Sequence, residues 1–129
     1  VKGAALKNGG GCFLGIPFAR PPVGELRWRA PVEADSWEGV LECTHFGPVC
    51  PQIQVPGTGV KLIPVPPDLL SSLTPENALP LGMDEDCLQV NVYTPSLEGK
   101  YPVLVWIHGG NLTGGCSSDN LVFEPLAHF

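Results

Sequence analysis

The 129-residue chain has little positive charge: seven Lys and Arg residues stand against thirteen Asp and Glu, which gives a formal net charge of −6. The seven cations are scattered and form no basic patch, so we expect no nucleic-acid partner. Long apolar runs are also missing. The longest strongly apolar stretch, Val103 to Ile107, has the length of a strand, so no membrane span is expected in this chain. Because no basic region followed by an apolar run opens the sequence, we expect any signal peptide to have been removed or never included.

Metal-binding patterns are lacking too. No cysteines are spaced as C-x-x-C, and none stands near a histidine at zinc spacing, so no metal site is predicted. Five cysteines are nevertheless many for a cytosolic chain of this size. They indicate a secreted protein or one of the ER lumen, and their odd number leaves at least one thiol unpaired.

Glycine and proline are abundant, with 16 and 15 residues, and they form no repeat. The prolines concentrate between Cys50 and Cys87, where few strand-forming runs occur. Since proline fixes φ and removes a backbone donor, this stretch is predicted to be a long loop, with one helical turn near Pro67 to Leu73. Cysteines at its two ends suggest a tether, and closing a loop of this size contributes roughly 4 kcal/mol in the chain-entropy model.

The remaining sequence favours strands. Val1 to Arg20 predicts two short antiparallel strands around the glycine turn at residues 9–11, and residues 88–93 alternate as a half-exposed strand does. Leu26 to Arg29 also alternates and predicts a half-buried extended segment. Tyr101 to Ile107 is nearly continuously apolar, which is typical of a central strand buried on both faces. The tail from Leu121 to Phe129 could begin a helix.

Three segments stand in one order along the chain and carry a family resemblance. They are Phe13-Leu-Gly-Ile-Pro-Phe-Ala-Arg-Pro-Pro-Val-Gly-Glu-Leu-Arg-Trp, Glu85-Asp-Cys-Leu-Gln-Val-Asn-Val-Tyr-Thr-Pro and Pro102-Val-Leu-Val-Trp-Ile-His-Gly-Gly. The chain resembles the N-terminal part of the type-B carboxylesterase and cholinesterase family, α/β-hydrolases that cleave carboxylic esters. The resemblance implies that residues 1–129 are a fragment of one α/β domain, mostly strands and long loops with an incomplete central sheet. It implies no cofactor.

The same resemblance implies two scaffold links. Cys50 is expected to form a disulfide with Cys87, and Arg27 is expected to form a salt bridge with Glu85. The tethered loop 50–87 then either walls a substrate gorge or is a surface Ω-loop without substrate contact. A bridge from Cys43 to Cys50 is the competing pairing.

Cys12, Cys43 and Cys116 have no partner that the resemblance assigns. Cys12 lies in an apolar strand and is most simply a small buried hydrophobic residue.

The turn at His108-Gly109-Gly110-Asn111 carries the chemistry that the chain retains. Ester hydrolysis passes through an oxyanion, which is best stabilised by backbone N–H donors that need not reorganise. By resemblance, Gly110 and Asn111 supply two of these amides, although the turn could also be a plain glycine-rich exit from a strand. The family usually has glycine or a small residue at position 111, so the asparagine side chain puts activity in doubt. Asn111-Leu112-Thr113 is also a glycosylation sequon, which we expect to be unmodified in a folded domain because a glycan does not fit at the base of a gorge.

The resemblance also implies that the catalytic serine, acid and histidine are absent from this chain. No G-x-S-x-G nucleophile elbow occurs in it. Ser117 and Ser118 are interpreted as loop serines, and His45, His108 and His128 as loop, strand-end and helix-start residues.

Three functions remain open at this point. The chain is a partial carboxylic ester hydrolase acting on small-molecule esters, or a non-catalytic cholinesterase-like adhesion protein that binds a protein partner, or a complete small binding module. The third is disfavoured because residues 101–107 would lack neighbouring strands. Alone, the chain is expected to aggregate and to hydrolyse no short-chain aryl ester.

Overall fold

The regular structure of the chain is a small antiparallel sheet. The computed structural model describes residues 1–6, 9–52, 82–112 and 114–117. In these ranges the sheet has the order β1-β2-β3, with β1 at Ala4–Ala5, β2 at Gly11–Pro17 and β3 at Gln89–Thr94. Both N-terminal strands, their antiparallel pairing and the alternating strand near residues 88–93 are confirmed. The helical segments predicted near residues 67–73 and 121–129 lie outside the described residues.

A bulge in β2 determines how the sheet meets the rest of the chain. The register of β2 against β3 shifts between Phe13 and Ile16. Gly15, inside the bulge, has φ +70°, and a Cβ there would lie 2.9 Å from the backbone oxygen of His45. Only glycine allows this backbone conformation and close approach without strain. The Gly15 N–H donates to Oδ1 of Asn91 on β3, at 2.9 Å.

The core lies on one face of β2. Cys12 and Leu14 alternate onto the same face and pack with Phe46, and all three are buried. Burial raises the pKa of the Cys12 thiol. Cys12 is therefore confirmed as a small buried hydrophobic residue. Tyr93 packs against this cluster from β3, and burial raises the pKa of its hydroxyl as well.

The prediction of a buried central strand at residues 101–107 is wrong for this structure. The segment forms no strand with any described residue, and its side chains are exposed, Val103 to 87%. An apolar run with β-branched residues indicates that a segment can pair with another strand. A strand also needs neighbours that satisfy its backbone N–H and C=O groups, and the described part of the chain supplies none here.

The half-buried extended segment predicted at Leu26 to Arg29 is also wrong. A 3-10 helix spans Gly24–Leu26, and the Arg27 N–H continues it by donating to the oxygen of Gly24 at 3.2 Å. Trp28 follows with φ +60° and is 96% exposed. Four alternating residues are too few to specify a strand against a turn.

None of the described stretches forms a helix with the length and apolar character needed to cross a bilayer.

Candidate functional site

The disulfide that ties the chain together joins Cys50 to Cys87, with their Cα atoms 5.1 Å apart. Backbone hydrogen bonds fasten the same place: Val49 donates to the oxygen of Gly82 at 2.8 Å, and Asp84 donates to that of Val49 at 3.0 Å. The two ends of the predicted loop are therefore held side by side. Residues 53–81 between them lie outside the described residues, and so does the choice between a gorge wall and a surface loop.

The competing bridge from Cys43 to Cys50 is not formed. Cys43 is a buried thiol, and its backbone oxygen accepts from Leu14 at 2.8 Å. Burial raises the pKa of this thiol. Cys12 is likewise a thiol, so the odd cysteine count does leave unpaired sulfur, and Cys116 is buried.

Arg27 and Glu85 form a bidentate pair across the chain. Arg27 Nε donates to Glu85 Oε1 at 2.6 Å, and Nη2 donates to Oε2 at 2.5 Å. The hydrogen bonds from Arg27 hold the pKa of the Glu85 carboxyl below its ordinary value, and those to Glu85 raise the pKa of the guanidinium. The pair joins the turn after the 3-10 helix to the segment that precedes β3.

The glycine turn adopts a left-handed path over three residues: Gly110 has φ +124°, Asn111 +53° and Leu112 +61°. The turn is closed by the Gly114 N–H, which donates to the Gly110 oxygen at 3.2 Å. A Cβ at position 110 would lie 1.8 Å from the Gly114 oxygen, so only glycine fits there. Asparagine is among the residues that tolerate a positive φ best. The turn can therefore form at position 111 although the residue there has a side chain.

The backbone N–H of Asn111 is available to donate a hydrogen bond to a ligand in this turn. Its side chain is exposed, and its backbone N–H donates to no atom of the described residues. A backbone donor held in a fixed turn is suited to an oxyanion because it requires no rearrangement when the charge develops. The assignment of Gly110 and Asn111 to an oxyanion hole stays a prediction.

Two side-chain amides that the sequence analysis missed hold the backbone beyond this turn. Gln52 makes hydrogen bonds to both backbone polar groups of Gly115, at 2.8 and 3.0 Å. Asn91 Nδ2 donates to the Ser117 hydroxyl at 3.0 Å and to its carbonyl at 3.3 Å. The sequence gives little indication of either role. Gln52 is the first polar residue after Cys50, and Asn91 is a polar residue on a strand.

The candidate residues His45, His108 and Ser117 do not form an activated nucleophile. His45 Nδ1 lies 2.9 Å from the hydroxyl of Thr44, and His108 Nδ1 lies 2.9 Å from the Gly109 oxygen. Ser117 accepts hydrogen bonds from Asn91, and it forms none with a described histidine. Ser118 and His128 lie outside the described residues. Across the described ranges, His, Cys, Asp and Glu side chains do not gather in groups of three that could hold a metal ion.

Comparison with solved structures defines the class. A structure described as a thermophylic PNB esterase superposes with a TM-score of 0.64 at 40% identity and covers 90% of this chain, while this chain covers 21% of that one. A second PNB esterase structure gives a TM-score of 0.64 at 42% identity, with the same coverage. The chain therefore has an α/β-hydrolase fold, of which the described sheet and loops form the N-terminal part.

Sequence comparison then defines the family. The model of the carboxylesterase family matches residues 1–127, and the chain belongs to that family. It is 44% identical to carboxylesterase 1E of Mus musculus over 87% of this chain and 19% of the mouse protein. It is 43% identical to para-nitrobenzyl esterase of Bacillus subtilis (strain 168), over 94% of this chain and 22% of that protein. The chain thus spans about a fifth of the length of these relatives.

Proposed function

We propose that residues 1–129 are the N-terminal part of a serine-dependent carboxylic ester hydrolase that acts on small-molecule esters. In this proposal the amides of Gly110 and Asn111 form part of its oxyanion hole. The observation that carries the proposal is the left-handed turn at these residues, in which the Asn111 N–H donates to none of the described atoms. Family membership supports the reaction class, and the names of the relatives above support esters as substrates.

The proposed reaction is acyl transfer. A serine from the rest of the protein attacks the ester carbonyl while a histidine accepts its proton, and an acidic residue orients the histidine. The tetrahedral intermediate then expels the alcohol, which takes that proton from the histidine, and water hydrolyses the acyl-serine in the same way to release the acid. The amides of Gly110 and Asn111, with one amide beyond the serine, stabilise the oxyanion of the tetrahedral intermediate. The serine, acid and histidine are not among residues 1–129, so these residues supply positioning and electrostatic stabilisation.

The test measures hydrolysis of p-nitrophenyl acetate and butyrate by the full-length product of the gene. Gly110→Ala is expected to lower kcat by roughly 100-fold or more, because it forces a side chain against Gly114 and misplaces the donors. Gly109→Ala is the matched control, since a Cβ there meets no atom of the described residues within 4 Å. Asn111→Gly retains the amide and removes the side chain from the acyl side, so kcat is expected to rise. Hydrolysis that is insensitive to Gly110→Ala would contradict the assignment.

The second candidate function is a cholinesterase-like adhesion protein that binds a protein partner without catalysis. The observation that favours it is the exposed Asn111 side chain, at a turn position where a small residue suits a substrate better. The coding sequence beyond Phe129 discriminates the two candidates. A G-x-S-x-G elbow there supports the hydrolase, and a replaced serine supports adhesion.

Our proposal also locates the protein in the ER lumen or outside the cell, supported by the Cys50–Cys87 disulfide. In this compartment the Asn111 sequon meets the glycosylation machinery. We expect Asn111 to be unmodified in the folded protein, because the turn faces the substrate in the proposed site. Mass spectrometry of secreted material tests this, and a glycan at Asn111 would exclude its amide from the oxyanion hole.

A further inference from the structure

We infer that Gln52 is a positioning residue for the Gly110–Asn111 turn and that it couples the Cys50–Cys87 disulfide to that turn. The inference deepens the proposed function and rests on it for its catalytic consequence. Its structural part is independent, because it concerns hydrogen bonds among described residues only.

The Gln52 side chain binds Gly115 as a neighbouring strand would. Its Oε1 accepts the Gly115 N–H at 2.8 Å, and its Nε2 donates to the Gly115 oxygen at 3.0 Å. One primary amide thereby satisfies both backbone polar groups of a residue 63 positions away in sequence. Both contacts are partly buried, so losing the side chain would leave two backbone groups without this partner.

Gly115 is packed against the turn itself. It has φ +109°, and a Cβ at this position would lie 2.3 Å from the Gly109 oxygen and 2.6 Å from Nδ1 of His108. Its neighbour Gly114 closes the turn by donating to the Gly110 oxygen. Gly115 therefore contacts the residues that enter the turn, and its neighbour contacts the turn directly. We therefore expect a shift of Gly115 to displace the amides of residues 110 and 111.

The disulfide lies at the other end of the same connection. Gln52 is two residues after Cys50, and its Nε2 also donates to the Cys50 oxygen at 3.1 Å. The disulfide to Cys87 fixes the Cys50 backbone. The hydrogen bond to the Cys50 oxygen then orients the Gln52 side-chain amide toward Gly115. The resulting path runs from the disulfide through one side chain to Gly115 and the turn.

Asn91 holds the far end of the segment independently of Gln52. Its Oδ1 accepts from Gly15 in the β2 bulge, and its Nδ2 donates to Ser117. Residues 114–117 therefore remain attached to the sheet when Gln52 is replaced. The expected effect of such a replacement is a loosened turn in a folded protein.

Hydrogen exchange of individual backbone amides in the full-length gene product tests the coupling. Gln52→Met, which keeps the side-chain length and removes both polar groups, should accelerate exchange at Gly115 by roughly five- to tenfold. Removing the disulfide with Cys50→Ser and Cys87→Ser should also accelerate it. Combining the three substitutions should add little further, because both changes break one path. Glu98→Ala, in the exposed turn after β3, is the control and should leave Gly115 unchanged.

Activity measurements test the positioning role. With active sites counted by a stoichiometric phosphorylating agent, Gln52→Met should lower kcat per site by roughly tenfold and leave KM within about twofold. A purely structural role would lower the number of sites and leave kcat per site unchanged, which would overturn the positioning role.

The two proposals fail separately. Unchanged exchange at Gly115 in Gln52→Met, or fully additive effects of Gln52→Met and disulfide removal, would overturn the coupling. Accelerated exchange in a protein that hydrolyses no ester would support the coupling and refute the proposed function.

Discussion

Two glycines with almost the same φ separate conformational strain from steric contact. Gly15 has φ +70° and Gly39 has φ +72°, yet an added Cβ meets the His45 backbone at position 15 and no described atom within 4 Å at position 39. Gly39→Ala should therefore cost about 1 kcal/mol, the ordinary penalty of a left-handed residue with a side chain. Gly15→Ala should cost at least about 1 kcal/mol more, because the bulge must open. Urea unfolding of both variants measures the difference, and equal losses would contradict the described bulge.

The Arg27–Glu85 pair predicts a defined pH dependence of stability. Hydrogen bonding to Arg27 lowers the folded-state pKa of Glu85 from its ordinary value of 4.5. The contribution of the pair is therefore present above pH 4.5 and is lost as the pH falls through the lowered folded-state pKa. The urea midpoint of Glu85→Gln should lie below that of the wild type at pH 6, and the two should converge in acid. Glu98→Gln, which removes a carboxylate from the exposed turn after β3, should follow the wild type throughout. A constant gap down to pH 2 would exclude this origin.

Residues whose role the family resemblance implies could be predicted from the sequence. The Cys50–Cys87 disulfide and the Arg27–Glu85 pair were expected from the family resemblance, and both are present. Gln52 was missed because its role depends on Gly115, a residue that only the folded chain brings near. An amide side chain carries no charge or spacing signal that would reveal such a partner.

At the scale of elements, local pattern identified the strands that have a partner in the described sheet. β2 was predicted from an apolar run between a glycine turn and Pro17, and β3 from its alternation, and the two strands pair with each other. Residues 101–107 have an equally clear strand pattern and form no strand, because the described residues offer them no neighbour. The difference between the two cases is tertiary and lies outside any local window.

The disulfide is expected to stabilise the protein by closing the loop between Cys50 and Cys87. It spans 37 positions, so its loss should destabilise the protein by about 4 kcal/mol in the chain-entropy model, less any strain in the native state. Urea unfolding of the Cys50→Ser, Cys87→Ser variant measures this loss. A reductant should lower the wild-type midpoint and leave that of the variant unchanged. Equal sensitivity of both proteins to reductant would indicate that another cysteine pair carries the effect.

For the molecule as a whole, the strip at residues 101–107 is a long exposed apolar segment within the described part of the chain. Five consecutive apolar residues, Val103 to Ile107, are exposed side by side, and the backbone of this strip forms no strand with the described residues. A β-prone apolar segment with unsatisfied strand pairing is a template for association. Residues 1–129 expressed alone are therefore expected to self-associate through this strip.

A pair of substitutions tests whether association depends on the strip or on exposed apolar surface in general. Val105 lies inside the strip and is 75% exposed, while Val40 lies outside it and is 66% exposed. Val105→Lys places a charge where another strand would pair, so residues 1–129 carrying it should sediment as a monomer over a wider concentration range. Val40→Lys adds the same charge elsewhere and should sediment as the unsubstituted chain does. If the unsubstituted chain stays monomeric at high concentration and unfolds cooperatively, the strip is not an association site. If both variants improve solubility equally, net charge and not strand pairing governs the behaviour.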